Sequence, residues 1–297
     1  MKSISPSRTW DDRPHWGISL MLASILFHVS GNIFEKILLG IYPLFQMTFI
    51  RALFRLIPLF IFLLRNKDIK AVLSMQQPMA HLWRILSYVG FTYCLLYAMS
   101  KSSLTSTITL QYVTPYFILL LSAVILKEKI SKQKWIAIGV ATIGILIAIR
   151  PTVNFEMITL LIIVASLFGG LNKVLIRQLT ATEPSISITI YGNLAIVLCF
   201  MPFIVTDWQP LVWKDLIYFL IAGILTATAQ YTSVQALRFA QASSLASLDG
   251  TSLIWCALFD YCIWQKLPHI YLLIGVGIII ASNVYLLGSK QQKLRNG

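Results

Sequence analysis

Acidic residues are scarce in this chain: aspartate and glutamate together number 11 of 297 residues, and all charged residues make up only 12%. Hydrophobic residues make up 57%, and the mean hydropathy is +0.76. This composition excludes an ordinary soluble globular protein and is typical of a chain embedded in a lipid bilayer. We therefore expect an all-α integral membrane protein that crosses the cell membrane several times.

Groups that carry common enzyme chemistry are also few. The sequence contains no phosphate-cradling glycine-rich loop, and its longest loops, about residues 65–80 and 206–214, are too short for a soluble catalytic domain. We expect no metal, no cofactor and no enzymatic activity, with a gradient as the source of energy. The cysteines lie in apolar stretches without the close His or Cys partners that zinc or redox sites require: Cys94, Cys199, Cys256 and Cys262.

Ten stretches are long and apolar enough to cross the membrane as helices, which takes about 20 residues each. We expect the first to remain in the mature protein rather than act as a cleavable signal peptide, because it is too long, carries polar residues and precedes no small-residue cleavage pattern. Residues 1–150, with an N-terminal tail at 1–15, and residues 151–297, with a C-terminal tail at 289–297, hold five spans each. The spans are residues 16–37, 43–64, 81–100, 103–126, 133–150, 155–176, 185–206, 214–235, 241–264 and 269–288.

The positive charge follows membrane topology rather than a nucleic-acid surface. The net charge is +13, but lysine and arginine cluster at span ends; with the N-terminus inside, 17 lie in cytoplasmic segments and 5 in outer ones. This asymmetry predicts that both termini are cytoplasmic. Arg51 and Arg55 remain inside the second span. We expect membrane lipid as a partner and no nucleic acid.

The chain also repeats itself. A shift of 138 residues aligns Tyr93 with Tyr231. A shift of 141 aligns Tyr42 with Glu183, and both of these residues are followed by proline. Because each half holds an odd number of spans, the second half enters the membrane with the opposite polarity. Two inverted five-helix repeats are typical of secondary transporters, whose substrate site lies near the midplane and which work by alternating access.

The motifs of the two halves resemble a known module. The first half contains SLTSTITLQYVTP from Ser103 to Pro115, then LKEKI, then a tryptophan and a glycine-bearing closing helix. The second half contains ASSLASLDGTSLIW from Ala242 to Trp255. Over nearly its whole length the chain is similar to the EamA-type drug/metabolite transporters. The resemblance implies that helices one to four and six to nine enclose a substrate cavity.

Two departures make the halves unlike: Lys266 stands where an acidic residue is usual, and Leu253 stands opposite Pro115. The sequence HLWR ending at Arg84 and the sequence FIR ending at Arg51 resemble the branch that includes S-adenosylmethionine carriers and other bacterial metabolite permeases. That resemblance implies a permease of the bacterial inner membrane.

Charged side chains inside a span cost about 2.5–3.5 kcal/mol on insertion scales and usually face a cavity or a partner. Asp249 is either a counter-ion for a cationic substrate or proton, or half of a structural ion pair with Arg51 or Arg84. The repeat sets Gln111 opposite Asp249, so both are expected to line one cavity. Arg51 is either a ligand for a carboxylate or phosphate or part of a helix–helix ion pair. Arg55, one turn further along the same face, has the same alternatives, but it snorkels to the cytoplasmic surface more easily than Arg51.

Further polar candidates lie in helices one and six. His28, Asn32 and Glu35 share a helical face and are candidates for lining the cavity or, for His28 and Glu35, for coupling. Packing is the alternative for His28, whose imidazole titrates near neutral pH, and interfacial solvation is the expectation for Glu35. Asn172 is a candidate cavity residue, and Lys173 is expected to snorkel inward.

Aromatic and small residues complete the candidate site. Pro115 interrupts the fourth span, and Gly169 and Gly170 let helices approach and slide, which fits packing and gating. Aromatic side chains at or near repeat-related places can stack on a purine or cover a sulfonium, or simply pack between helices: Tyr93, Tyr97, Tyr112, Tyr116, Tyr231 and Trp255.

These features favour a secondary active transporter, monomeric or homodimeric, that moves a small organic metabolite with a proton or counter-substrate as its coupling partner. S-adenosylmethionine, with its purine, sulfonium and zwitterionic tail, suits uptake or exchange by such a site. Efflux of amino acids, other metabolites or drugs is the alternative. A membrane-embedded enzyme would need a convergent catalytic set, and a structural or sensory membrane protein would not need an inverted repeat.

Overall fold

The computed structural model describes residues 13–38, 41–64, 69, 75–101, 113–149, 157–205 and 208–252, with separate residues between 255 and 282. Within these residues every regular element is a helix. Two 3₁₀ segments, Met201–Val205 and Ala246–Thr251, follow the seventh and ninth α-helices. The α-helices are α1 Pro14–Leu38, α2 Leu44–Leu64, α3 Pro78–Lys101, α4 Thr114–Ile125, α5 Lys132–Ile149, α6 Met157–Leu179, α7 Ser185–Phe200, α8 Trp213–Phe239 and α9 Ala242–Leu245.

Five helices in the described part of the chain are long and apolar enough to cross a membrane. They coincide with the first, second, sixth, seventh and eighth predicted spans, and α3 and α5 also follow predicted spans within a few residues. The prediction of an all-α, multi-pass membrane protein is confirmed. The five are Pro14–Glu35, Leu44–Leu64, Leu160–Leu179, Ser185–Ile204 and Trp213–Phe239.

The ninth span differs from the continuous helix that the sequence predicts. After α9, the backbone tightens into the 3₁₀ segment Ala246–Thr251. Thr251 Oγ1 donates to the Leu248 carbonyl at 2.7 Å, and Ser252 Oγ donates to the Asp249 carbonyl at 2.8 Å. Side-chain bonds to carbonyls three residues back compete with the α-helical pattern. They favour the tighter turn at this point of the span.

The chain divides into two compact units, and each unit combines segments from both halves of the sequence. Unit 1 consists of Met1–Val89 and Leu175–Gln241, and unit 2 of Gly90–Val174 and Ala242–Gly297. α3 and α6 each contribute residues to both units. Division by compactness therefore differs from the predicted division into repeats at 1–150 and 151–297, which stays a prediction.

In unit 1, α1 packs along α8 and the residue that follows it, through small residues spaced seven positions apart. A Cβ atom at Gly17 would lie 2.5 Å from Ala240 Cβ, directly after α8, and one at Gly31 would lie 2.5 Å from Thr226 Cγ2. Between these positions, Ser24 Oγ donates to the Ala229 carbonyl at 2.7 Å. Small residues on one face let helices in lipid approach closely, because contact is then limited only by the backbones. This stripe fixes α1 against α8.

A proline and a glycine bring α2 against α8 in the same unit. Pro58 lies inside α2 and has no N–H, so the carbonyl of Phe54 loses its α-helical partner. Gly223 of α8 faces that carbonyl: a Cβ atom at Gly223 would lie 2.7 Å from Phe54 Cβ and 3.0 Å from the carbonyl oxygen. Glycine is therefore required at 223 for the two backbones to approach this closely.

In unit 2, the glycine pair of α6 packs against phenylalanines of neighbouring helices. A Cβ atom at Gly169 would lie 3.1 Å from the ring of Phe91 in α3, and one at Gly170 would lie 2.9 Å from Phe117 Cβ in α4. Each glycine thus makes room for a ring or its backbone. The structure shows this packing, whereas the gating role of the pair stays a prediction.

Candidate functional site

An ion pair lies in unit 2, between α6 and the 3₁₀ segment that follows α9. Lys173 Nζ is 2.5 Å from Asp249 Oδ2, and the two side chains are 29% and 23% exposed. Lys173 therefore does not snorkel inward as expected, because a carboxylate inside the unit neutralises it. The partner of Asp249 is this lysine rather than Arg51 or Arg84. One contact joins the two side chains, and both of them remain partly exposed.

Glu128, from the LKEKI motif, fixes the start of the helix that leads to Asp249. Its carboxylate accepts the backbone N–H groups of Ala242 and Ser243 at 3.2 and 3.3 Å, and the hydroxyl of Ser243 at 2.5 Å. Lys134 Nζ donates to the same hydroxyl at 2.7 Å. These bonds anchor α9 directly ahead of its 3₁₀ segment. The motif was visible in the sequence, but its partners were not.

In unit 1, Arg51 and Arg55 share the carboxylate of Glu35. Arg51 donates to Glu35 Oε2, and Arg55 Nη2 lies 3.7 Å from Glu35 Oε1. Arg55 Nε also donates to Thr226 Oγ1 at 2.8 Å. Glu35 is 7% exposed and Arg55 is 6% exposed. The expected solvation of Glu35 and snorkelling of Arg55 are therefore wrong, since each charge meets its partners inside the unit.

The polar stripe predicted on α1 is divided by these contacts. His28 is exposed, and its Nδ1 is 3.2 Å from Asn32 Nδ2. Glu35, one turn further on, turns instead to the arginines of α2. The cavity-lining and coupling roles of the three side chains stay predictions.

The candidate tyrosines differ in their surroundings. Tyr93 and Tyr97 of α3 are 46% and 49% exposed. Tyr231 of α8 accepts a hydrogen bond from Gln235 Nε2 at 2.8 Å, and its ring centroid lies 5.6 Å from that of Phe62. The ring of Tyr231 is thus already packed, and the stacking role of the three tyrosines stays a prediction.

The remaining candidates are partly described. Trp255 and Asn172 are half-buried, and Asn172 Oδ1 has no hydrogen-bond partner among the described residues. Pro115 lies in the first turn of α4 as the structure describes that helix. Gln111 and Tyr112 lie outside the described residues, so their roles and the mid-span position of the proline stay predictions.

A cluster that sequence reasoning missed surrounds Glu183 in unit 1. Its Oε1 accepts the backbone N–H groups of Gln76 and Gln77 at 3.0 and 3.1 Å, and its Oε2 lies 2.5 Å from His81 Nε2. We call these four residues the Glu183 clasp. Arg238, at the end of α8, donates to the Glu183 carbonyl. Burial alone would raise the pKa of Glu183, but the hydrogen bond and charge of His81 and the two N–H groups hold that pKa below its usual value.

A second cluster lies at the start of α8. Tyr42 donates its hydroxyl hydrogen to Asp215 Oδ2 at 2.6 Å and accepts the N–H of Val212 at 3.1 Å. The Gln46 amide exchanges two hydrogen bonds with the backbone of Gln209, at 2.6 and 2.9 Å. We call these five residues the Tyr42 clasp. Burial, followed by the hydrogen bond to Asp215, raises the pKa of Tyr42.

The two clasps are counterparts in the sequence repeat. Tyr42 aligns with Glu183 when the sequence is shifted by 141 residues, and each residue precedes the proline at the start of a helix. Each also binds the N-terminal end of a helix from the other half of the chain: α8 for Tyr42 and α3 for Glu183. The repeat signal could therefore have identified the pair, although the residue types differ.

Comparison with known proteins agrees with this architecture. The S-adenosylmethionine uptake transporter of Rickettsia bellii is 22% identical over 280 residues, covering 94% of this chain and 95% of that protein. The riboflavin transporter of Vibrio cholerae is 26% identical over 238 residues, covering 78% and 79%. A solved structure described only as the crystal structure of a protein superimposes with a TM-score of 0.78 at 16% identity, covering 91% of this chain and 95% of the other. That last likeness concerns the fold alone.

The family profile matches this chain twice, as a repeated architecture requires. The matches cover residues 15–150 and 157–288 and together include nearly all of the predicted membrane spans. The helical structure and the relatives point the same way. This chain therefore belongs to the EamA-like transporter family.

Proposed function

We propose that this protein is a secondary active transporter that moves a small organic metabolite by alternating access, with S-adenosylmethionine uptake or exchange as the first candidate activity. The names of relatives that align over most of the chain support a metabolite as the substrate. The proposal includes an inner membrane of a bacterium, cytoplasmic termini and two inverted repeats. Transport leaves the solute chemically unchanged, so the proposal includes no enzymatic step.

The observation that carries the proposal is the Lys173–Asp249 pair. A single 2.5 Å contact joins the two charges, and both side chains remain about a quarter exposed. Asp249 lies on the 3₁₀ segment, where the backbone departs from the α-helix. Irregular backbone inside membrane helices is typical of transporter substrate and ion sites. An exposed ion pair there can exchange its internal cation for an external one.

Asp249 binds the cation that is transported or coupled. A cationic group of the solute, such as a sulfonium, or a coupled proton replaces Lys173 at the carboxylate. The displaced ammonium then needs a new partner or water, since an unpaired charge in a membrane span is costly. When the solute leaves, Lys173 returns and neutralises Asp249. The cation of the solute and that of the protein thus compete for one carboxylate.

The test is uptake of labelled S-adenosylmethionine into proteoliposomes that contain the full-length protein. The wild type should show saturable uptake, and Asp249→Asn should abolish it because the counter-ion is lost. Lys173→Gln should retain uptake with a lower KM, since the internal competitor is gone. Lys132→Gln is the matched control, because Lys132 is an exposed lysine of the same unit and its loss should leave uptake unchanged. No uptake by the wild type, or equal uptake by wild type and Asp249→Asn, would reject the assignment.

Riboflavin transport is the second candidate, favoured by the relative from Vibrio cholerae. Riboflavin carries no cationic group, so its uptake should not require Asp249 as a counter-ion. The exposed rings of Tyr93 and Tyr97 suit stacking on a flat ring system. Uptake of riboflavin that survives Asp249→Asn but falls in Tyr93→Ala would select this candidate. Preloaded vesicles distinguish efflux and exchange from uptake.

Orientation has its own test. A periplasm-specific reporter and a cytoplasm-specific reporter are each fused to the C-terminus of the full chain in bacterial cells. The excess of basic residues in the proposed inner segments predicts activity only from the cytoplasmic reporter. Activity of the periplasmic reporter alone would invert the proposed topology.

A cross-linking experiment on the purified protein distinguishes a monomer from a homodimer.

A further inference from the structure

We propose that Arg84 of α3 is the anchor for a carboxylate of the transported solute, in a site of unit 1 formed with Arg55 and Tyr88. The inference rests on the proposed transport function for its biological meaning. It assigns a binding role to a residue that the sequence analysis treats as an ion-pair partner and as part of the HLWR motif.

The first observation is that Arg84 is buried without using its donors. Its exposed fraction is 1%, and none of its three guanidinium nitrogens has a hydrogen-bond partner among the described residues. A buried guanidinium normally binds carboxylates or carbonyls, because burying an unsatisfied charged donor is costly. Arg177 shows the ordinary case: it is equally buried, and its Nη1 donates to the carbonyls of Leu237 and Arg238 at 2.6 and 2.7 Å.

The second observation is that the backbone makes room for this guanidinium. A Cβ atom at Gly192 of α7 would lie 3.2 Å from Arg84 Cζ and 3.4 Å from Nη1. Glycine thus lets the planar group lie against the α7 backbone. The side chain is held in place by shape rather than by hydrogen bonds. Its donors are thereby left for another group.

The third observation is a second arginine that shares a neighbour with Arg84. Tyr88 lies one turn after Arg84 and interacts with both Arg55 and Arg84. Arg55 already shares the carboxylate of Glu35 with Arg51, so Glu35 balances only part of the positive charge that these two arginines carry. Positive charge that is not fully balanced favours an incoming anion.

Glu183 is the carboxylate that interacts with Arg84 electrostatically. Both of its oxygens are already engaged, one by the N–H groups of Gln76 and Gln77 and the other by His81. It therefore lends Arg84 a favourable field without accepting its hydrogen bonds. A solute carboxylate can accept two parallel N–H bonds from the guanidinium, a geometry that lysine cannot supply.

The experiment compares two solutes that differ only in the carboxylate: S-adenosylmethionine and its decarboxylated form. In proteoliposomes the wild type should prefer the former in kcat/KM. Arg84→Gln and Arg84→Lys should each reduce that preference by about tenfold or more, the loss expected for one charge-assisted hydrogen bond. Uptake of the decarboxylated form should change little. Gly192→Ala should act like the arginine variants, because its Cβ would collide with the guanidinium and displace it.

Arg177→Gln is the matched control. It removes an equally buried arginine of unit 1, so it should lower stability and leave the solute preference intact. If Arg84→Gln fails to fold, Arg84→Lys and Gly192→Ala carry the test. An unchanged preference in the folded variants, or no preference in the wild type, overturns the proposal.

A second readout separates this inference from the proposed substrate. Thermal unfolding of the purified wild type is measured in sodium acetate and in sodium chloride at equal ionic strength. Acetate should raise the Tm of the wild type and of Arg177→Gln but not that of Arg84→Gln. If the wild type transports neither solute, S-adenosylmethionine is rejected as the substrate. The acetate comparison then decides by itself whether Arg84 binds a carboxylate. Equal stabilisation of all three proteins by acetate would overturn the anion site.

Discussion

Neutralising Glu183 should lower the stability of the protein by an amount that depends on pH. The carboxylate accepts three hydrogen bonds, from Gln76, Gln77 and His81, and its side chain is fully buried. In Glu183→Gln, one oxygen remains for the two backbone N–H groups, but the charged contact with His81 is lost. Hydrogen bonds to charged groups contribute about 1.5–3 kcal/mol, so we expect a loss of about 2 kcal/mol. For chains of comparable size this corresponds to about 4–8 °C in Tm.

The pH dependence gives the prediction its sign. The pKa of Glu183 is lower in the folded protein than its usual value of 4.5, so the ionised carboxylate stabilises the folded state. That stabilisation is fully present above the unfolded-state pKa and is lost as pH falls through the folded-state pKa. The Tm difference between wild type and Glu183→Gln should therefore be constant near neutral pH. It should shrink below about pH 4.5.

The assay is thermal unfolding of both proteins in detergent, followed by intrinsic fluorescence from neutral pH down to about pH 3, below the usual pKa of a carboxylate. Asp215→Asn serves as the comparison, because Asp215 also accepts a hydrogen bond from a buried partner, Tyr42, at the other end of α8. A Tm difference for Glu183→Gln that stays constant to the lowest pH would refute the role of the ionised carboxylate. So would a variant as stable as the wild type at neutral pH.

Three further changes test the packing and anchoring contacts. Tyr42→Phe removes the hydroxyl shared by Asp215 and Val212 and should cost about 1–2 kcal/mol, seen as a lower Tm. Gly223→Ala forces a Cβ to within 2.7 Å of α2 and should cost about 1–3 kcal/mol. Gly139→Ala is its control, because an added Cβ there meets no atom of a neighbouring element within 4 Å among the described residues, and it should leave Tm equal or higher. Glu128→Gln should lower Tm by the equivalent of about 1 kcal/mol, because a half-buried carboxylate loses its charged bonds to α9. An unchanged Tm in any of the three destabilising variants would contradict the corresponding contact.

The positions of the membrane helices could be predicted because hydropathy and length are local properties of the sequence. α1, α2 and α7 begin within two residues of their predicted spans. The break after α9 could not be predicted in the same way. It depends on the hydroxyls of Thr251 and Ser252 bonding nearby carbonyls, and the same residue types also occur in continuous helices.

The ion pairs illustrate a different limit. Lys173 and Asp249 are separated by 76 positions, and the sequence predicts the membrane surface for the charge of the lysine. For the aspartate it leaves open a substrate cation, a proton, Arg51 or Arg84 as the partner. For Glu35 and Arg55 the sequence likewise favours solvation of their charges by water at the membrane surface. The folded chain instead brings opposite charges together inside the membrane, which only tertiary structure reveals.

The 27-residue helix α8 is about 40 Å long, given a rise of about 1.5 Å per residue, and it connects two hydrogen-bonded clusters at its ends. Asp215 near its first turn is tied to Tyr42, and Arg238 in its last turn is tied to the carbonyl of Glu183. A helix transmits axial displacement because its hydrogen bonds run nearly parallel to its axis. A shift of α8 by a single residue rise would exceed the tolerance of a 2.6 Å hydrogen bond at one end and move the other end by the same distance. The two ends of unit 1 therefore cannot loosen independently while α8 stays intact.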